Sequence, residues 1–401
     1  MTIELIIALI IGIIAGTLTG LAPGIHINII SAGLVSIVAG GAFSSIPIIA
    51  LVVFVVSMAI THTMIDFIPS VFLGAPEEDS FLAVLPGHEL LLEGKGYEAV
   101  VLLLKGAMIG VGIATFFSIV FVLFLPTVFS FVEGIIGYIL ILVSLYLILS
   151  EESFVHGGIV FLFAGFLGLI SFRLPVEEPL LPLLTGLFGI SGLVVSMRSR
   201  VSLAHQQILN TKDIRLPRRV FWKNVFAASI AGPLCSFLPG IGSGHAATLG
   251  SSFGGEDRRG FLFLVGALST IVMGLSFVTM YAIGKTRTGA SAAVLDLLQK
   301  ISISDLIIIL SVVVISGGIA YAGGLFFARL LSKYVSQIRY SLLSLIVIVL
   351  LILVVAWLSN VYGLFVLITG SSLGIYAIVS KTRRIQLMGC LLIPTIVWYL
   401  F

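Results

Sequence analysis

Stretches of about 20 apolar residues recur along this chain from end to end, each long enough to cross the hydrocarbon core of a bilayer as a single helix. In the first half they fall at about 46–68, 97–124, 127–148, 156–172 and 178–197, and in the second at about 260–283, 304–328, 340–358, 361–380 and 385–401. With 59% of its 401 residues hydrophobic and 10% charged, the chain has no stretch left over for a water-soluble domain. In lipid, a lone segment satisfies its backbone only as a helix, so the expectation is an all-α integral membrane protein. The opening MTIELIIALI has neither a basic n-region nor a small-residue cleavage site, and reads as the start of the first helix.

One long hydrophilic stretch interrupts the pattern, RSRVSLAHQQILNTKDIRLPRR from Arg198 to Arg219, and it is densely basic. It divides the chain into a membrane repeat at 1–197, a basic linker at 198–219 and a second membrane repeat at 220–401. Lys and Arg in short loops mark the cytoplasmic face. The linker therefore goes inside a cell (plasma) membrane, together with Glu256–Arg259, the Arg329–Arg339 turn and Lys381–Arg384, and both termini fall outside. Five full transmembrane helices per half is an odd number, so the second half enters the membrane from the opposite face, which predicts two inverted repeats. Two ordered matches support the repeat: GTLTGLAPGI (16–25) with GPLCSFLPGI (232–241), and FLGAPEEDSFLAVL (72–85) with AIGKTRTGASAAVL (282–295).

Each half is preceded by an apolar segment broken by a Pro-Gly pair, Pro23-Gly24 and Pro239-Gly240. A break at membrane depth survives only when it is buried in protein or lines a wet cavity, so each break marks a site. Beyond it the next half-helix presents free N–H groups and a positive dipole end. Two such hairpin tips facing one midplane cavity form an anion site. Gly24, Ile25, Gly240, Gly242, Ser243 and Gly244 would supply donors or close backbone approach, and His26, Asn28, His245 and Thr248 would line it. A second re-entrant hairpin in each half contains GAPEEDS (74–80) and GKTRTGAS (284–291), and from the latter Lys285 and Arg287 would add charge for a carboxylate or phosphate. His62 and Asp66, four residues apart on one helix face, are the candidates for coupling to Na+ or H+. No other cofactor is called for. Metal-ligand pairs, Walker loops, dinucleotide fingerprints and hydrolase elbows are missing from the sequence, which argues for a transporter over an enzyme. Cys235 and Cys390 both sit in apolar segments, which argues against a disulfide framework, and Gly106 with Gly110 reads as a close helix contact.

At GTLTGLAPGIHIN (16–28), FLGAPEEDSFLAVLPGHELLLEGKGYEAV (72–100) and FLPGIGSGHAAT (237–248) the chain resembles the TctA family, the large membrane subunit of the tripartite tricarboxylate transporters. That resemblance implies a cation-coupled symport permease for a di- or tricarboxylate, partnered by a small membrane subunit and an extracytoplasmic binding protein. The paired Pro-Gly loops also look similar to those of polyprenyl-phosphate translocases, which would place a lipid phosphate at the same tips. Membrane lipid is a partner on either reading and nucleic acid on neither. Homo-oligomer formation is left open.

Overall fold

The computed structural model describes residues 2–22, 30–31, 33–35, 38, 46–74, 81–198, 204–238, 247, 257–335 and 340–401, and among these every regular element is helical. Seven of the described helices are long and apolar enough to cross a membrane: Ile3–Leu21, Ile48–Phe72, Gly96–Leu149, Phe154–Arg173, Arg258–Ile283, Ile303–Val335 and Asn360–Val379. The protein is an integral, multi-pass membrane protein.

Before the linker come α1 (Thr2–Leu21), α2 (Ile48–Ile65), α3 (Phe67–Phe72), α4 (Phe81–Leu92), α5 (Gly96–Val132), α6 (Ile136–Leu149), α7 (Phe154–Arg173), α8 (Leu180–Leu184) and α9 (Ser191–Arg198). A π-helical turn, Thr185–Ile190, joins α8 to α9. After the linker come α10 (Arg218–Phe237), α11 (Arg258–Ile283), α12 (Gly289–Leu298), α13 (Ile303–Val335), α14 (Tyr340–Leu358), α15 (Asn360–Val379) and α16 (Gly389–Leu400), the last preceded by a 3-10 turn, Arg384–Met388. The order of the first elements is similar on the two sides of the linker, α1, α2, α4 and α5 before it and α10, α11, α12 and α13 after it, although α3 has no counterpart among the described residues. Their packing recurs as well. α1 lies on α2 as α10 lies on α11, α5 lies along α11 as α13 lies along α2, and α4 touches α11 as α12 touches α2. Farther out, α7 packs on α16, and α15 packs on the π turn and α9.

Several span boundaries differ from the sequence expectation. The spans expected at 97–124 and 127–148 form one run, because Pro126 sits inside α5 without ending it and the break comes at a 3-10 turn, Glu133–Ile135. A proline removes one hydrogen bond, and that loss alone does not stop a long helix in lipid. Those expected at 178–197, 340–358 and 385–401 contain the shorter apolar helices Leu180–Val195, Ser344–Leu358 and Arg384–Leu400. In both short end segments a non-α turn takes up part of the length.

The centre of the molecule is α2 and α11, whose apolar stretches are 83% and 94% buried against 17% for α1, so these two helices face protein and not lipid. Contact along α5 and α11 is backbone to backbone. A Cβ on Gly106 would stand 2.0 Å from the Phe263 carbonyl oxygen, and one on Gly266 2.0 Å from that of Leu103. Gly110, also on α5, meets Ala267 in the same way. This is the small-residue packing the Gly106/Gly110 spacing implies.

The linker is tied down over much of its length. Gln206 is buried and accepts from the Gly96 N–H (2.9 Å) while donating to the Leu91 carbonyl (2.9 Å), and the Gln207 N–H donates to the Gly94 carbonyl (2.8 Å). Gly94 has φ +82°, and a Cβ there would approach the His205 carbonyl oxygen to 2.6 Å. Only glycine suits that backbone and that contact. Downstream, the Tyr97 hydroxyl meets Thr211 (3.2 Å), and the Lys105 ammonium donates to the carbonyls of Thr211 (2.7 Å) and Ile214. The segment from Ala204 to Pro217 is thus a strap across the α4–α5 turn, and LEGKGYEA (92–99) is its seat.

Candidate substrate site

In the first half the site is built where α1 approaches its Pro-Gly pair. Pro69 lacks an N–H and its ring crowds the Ile65 carbonyl, so the helix breaks at Asp66 and resumes as α3. The break leaves Asp66 inside the protein, 4% exposed, with His62 one turn earlier at 5%. His62 Nδ1 meets the Thr19 hydroxyl at 3.0 Å, and the Ser70 hydroxyl donates to Asp66 Oδ1 at 3.4 Å. A titratable pair is therefore anchored to α1 four residues before Pro23.

In the second half the polar groups gather at the end of α10 and in the α11–α12 turn. Gly284 closes α11 at φ +67°, a left-handed C-cap. Thr288 and Ser291 then start α12 with a reciprocal capping box, and the Ser276 hydroxyl lies 3.1 Å from that of Thr288. The turn between them projects Lys285 and Arg287 into a cavity of about 250 Å³ bordered by Phe237, Thr279 and Tyr399. Arg287 Nε donates to the Cys235 carbonyl at 3.3 Å, and the Thr279 hydroxyl donates to the Ser236 carbonyl at 3.4 Å. Cys235, like Thr19, stands four residues before the proline of its Pro-Gly pair. It and Cys390 are both buried and free. Lys285 pairs with Glu133 at 3.4 Å on the exposed side of the cavity, which leaves Arg287 as the deeper cation.

The structure thus brings His62 and Asp66 to the foot of the first interrupted segment, and Lys285 and Arg287 to the foot of the second, and it joins the two places through α12, which packs on α2. Pro23, Gly24, Ile25, His26 and Asn28, and likewise Pro239, Gly240, Gly242, Ser243, Gly244, His245 and Thr248, lie outside the described residues.

Sequence reasoning missed two clusters. Arg258 at the start of α11 reaches Glu89 (3.2 Å) and Glu93 (2.8 Å), and Arg259 Nε stands 2.6 Å from Glu98, an ion pair by distance whose N–H is not aimed at the carboxylate. The hydrogen bonds from Arg258 and Lys95 hold the Glu93 carboxyl below its usual 4.5. An acid at the start of an apolar run, as Glu98 is, was the available signal. The second cluster lies in the basic turn Lys381–Arg384, which the sequence assigned only to a membrane face. Arg384 is buried, donates to the Phe188 carbonyl and to the Ser191 hydroxyl (3.1 Å), and stacks over the Phe188 ring. A π-helical turn leaves carbonyls off the α ladder, and the guanidinium fork satisfies them. Gln386 beside it bridges the Leu147 carbonyl (2.7 Å) and Glu151 (3.0 Å).

Taken together, these features define a multi-pass helical membrane protein with buried polar and titratable groups at the ends of two interrupted segments. The chain belongs to the TctA family: the family model described as "Tripartite tricarboxylate transporter TctA family" matches residues 6–389. It is also similar to an uncharacterized protein of Methanocaldococcus jannaschii, 31% identical over 396 residues that span 95% of each chain. No solved structure matches it. Membership of this family makes the chain a transporter component of the plasma membrane, and the lipid-phosphate alternative has no counterpart among these findings.

Proposed function

We propose that this chain is the membrane permease of a cation-coupled uptake system for a di- or tricarboxylate, working by alternating access at a site between two Pro-Gly hairpin tips. The observation that carries the reading is the pairing of opposite chemistries at matching places: His62 and Asp66 at the foot of one interrupted segment, and Arg287 with Lys285 at the foot of the other. The cations suit a carboxylate, and the buried acid and imidazole suit Na+ or H+. The two halves are inverted repeats on this reading, supported by the similar order of the first elements and by the matched contacts across the halves. A small membrane subunit and an extracytoplasmic binding protein would complete the system, as the tripartite description of the family implies.

The test is a thermal-shift screen of the purified protein against citrate, other carboxylates and inorganic phosphate, each with and without sodium and at two pH values. Citrate or a shorter carboxylate is expected to raise the melting temperature, corresponding to about 2.7 kcal/mol when the ligand is at roughly 100 times its Kd. Sodium or low pH should enlarge the shift, and Arg287→Gln should shrink it without lowering the melting temperature of the free protein by a comparable amount. Replacing Gly24 or Gly240 by Leu should abolish uptake in vesicles while a folded protein is still made. A flat response to every carboxylate, or uptake that survives both glycine replacements, removes the proposal.

A further inference from the structure

A second cavity, of about 410 Å³, opens beside the strap, lined by none of the residues of the cavity above. Met108 and Ile109 of α5 form its floor, Phe221 of α10 and Tyr321 of α13 its walls, and Lys105, Arg215 and Arg218 its lip. Lys105 holds the basic end of the strap over this opening through its two carbonyl contacts. Arg215 and Arg218 are exposed, and among the described residues neither has a carboxylate partner.

Beyond the cavity α5 stays open to its surroundings. From Lys105 the open face of α5 continues at helical spacing through Met108, Gly112, Phe116 and Ile119, and the last two are 68% and 66% exposed. Such a stripe on a membrane helix faces acyl chains. Trp222, in the first turn of α10, is 59% exposed, and an indole there fits the level where headgroups meet hydrocarbon. Charge stands at one end, an exposed apolar helix face runs away from it, and an exposed indole stands next to the lining Phe221. A free anion would use the basic lip alone and make no use of the apolar lining and face.

We propose that this cavity binds an anionic phospholipid, with its phosphate against Arg215 and Arg218 and one acyl chain along α5. Basic pockets beside membrane helices gain about 1 kcal/mol per cation toward anionic headgroups, which is about fivefold in affinity for each arginine. The site is independent of the carboxylate site above.

The experiment uses the full chain with Trp357→Phe and Trp398→Phe, which leaves Trp222 as the single indole. In detergent, quenching of Trp222 is followed as brominated phosphatidylglycerol or brominated phosphatidylcholine is added. Phosphatidylglycerol should quench at a mole fraction several-fold lower than phosphatidylcholine. Arg215→Gln with Arg218→Gln, both on exposed positions, should make the two lipids equivalent while the melting curve stays in place. Equal quenching by both lipids in the parent, or a preference that survives in the double variant, overturns the proposal. So does displacement of phosphatidylglycerol by millimolar inorganic phosphate, which would mean that the lip reads a free anion.

Discussion

A single methyl group is a decisive probe where α5 and α11 touch. Gly106→Ala or Gly266→Ala would drive a Cβ to 2.0 Å from a backbone carbonyl of the other helix, and backbone cannot swing aside as a side chain can. Each is expected to destabilise by about 1–3 kcal/mol, the range for overpacking, and to lower the melting temperature in detergent. Gly112→Ala on the same helix meets nothing within 4 Å and should be neutral or slightly stabilising. The glycine pair on α5 was legible in the sequence because small residues four apart have a packing meaning of their own. Arg384 was not. In a run that reads KTRR, nothing local distinguishes a solvated cation from one inserted among the carbonyls of Leu187 and Phe188, nearly 200 positions away. Asp66 lies between. Its i, i+4 partner was visible, but its burial depends on the Pro69 break and on the hydroxyl of Thr19, which α1 brings to His62.

At the scale of elements, the start of α11 is latched to the α4–α5 turn by two arginines with different surroundings. The Glu98 side chain is 10% exposed, so Arg259→Gln would strand a nearly buried carboxylate at about 1–3 kcal/mol. Arg258 works between side chains 38–46% exposed, and its loss should cost no more than about 1 kcal/mol. Melting temperatures of the two variants should fall in that order. The acid side gives a second check. Because Arg258 and Lys95 hold the Glu93 carboxyl below 4.5, its contribution to stability is present above that pH and is lost as pH falls through the depressed folded value. Arg258→Gln should therefore flatten the decline in melting temperature on acidification. Hydropathy located the elements well, since apolar runs of span length need no partner to be recognised. It misjudged their ends at Pro126 and at the two short terminal segments, where a continuous helix or a π turn is selected by the neighbours.

For the whole molecule the two halves are bound together by more than the linker, because α5 lies against α11 and α2 against α13. On the proposed positive-inside orientation the linker is cytoplasmic and both termini are outside, and that proposal carries a prediction. Alkaline phosphatase fused after Phe401 should be active and green fluorescent protein at the same point dark, whereas fusions within the strap should show the reverse pattern. Active phosphatase in the strap would overturn the inverted arrangement as drawn. The two paired sequence matches are what raised the proposal of a repeat at this scale, and the matched contacts of α1, α2, α4 and α5 with α10, α11, α12 and α13 support it. The interlocking of the halves was not readable, since apolar side chains facing protein and those facing lipid look alike in composition.

Cys235 is buried near the end of α10, its carbonyl accepting from Arg287, and the Cys390 backbone packs against Gly168. Both thiols are shut away from reagents in this conformation. If the proposed alternating access opens the second half, alkylation of Cys235 in intact membranes should run only as fast as that opening, with Cys390 as the reference. The native chain would then carry its own clock for the transport cycle, and it needs no engineered label.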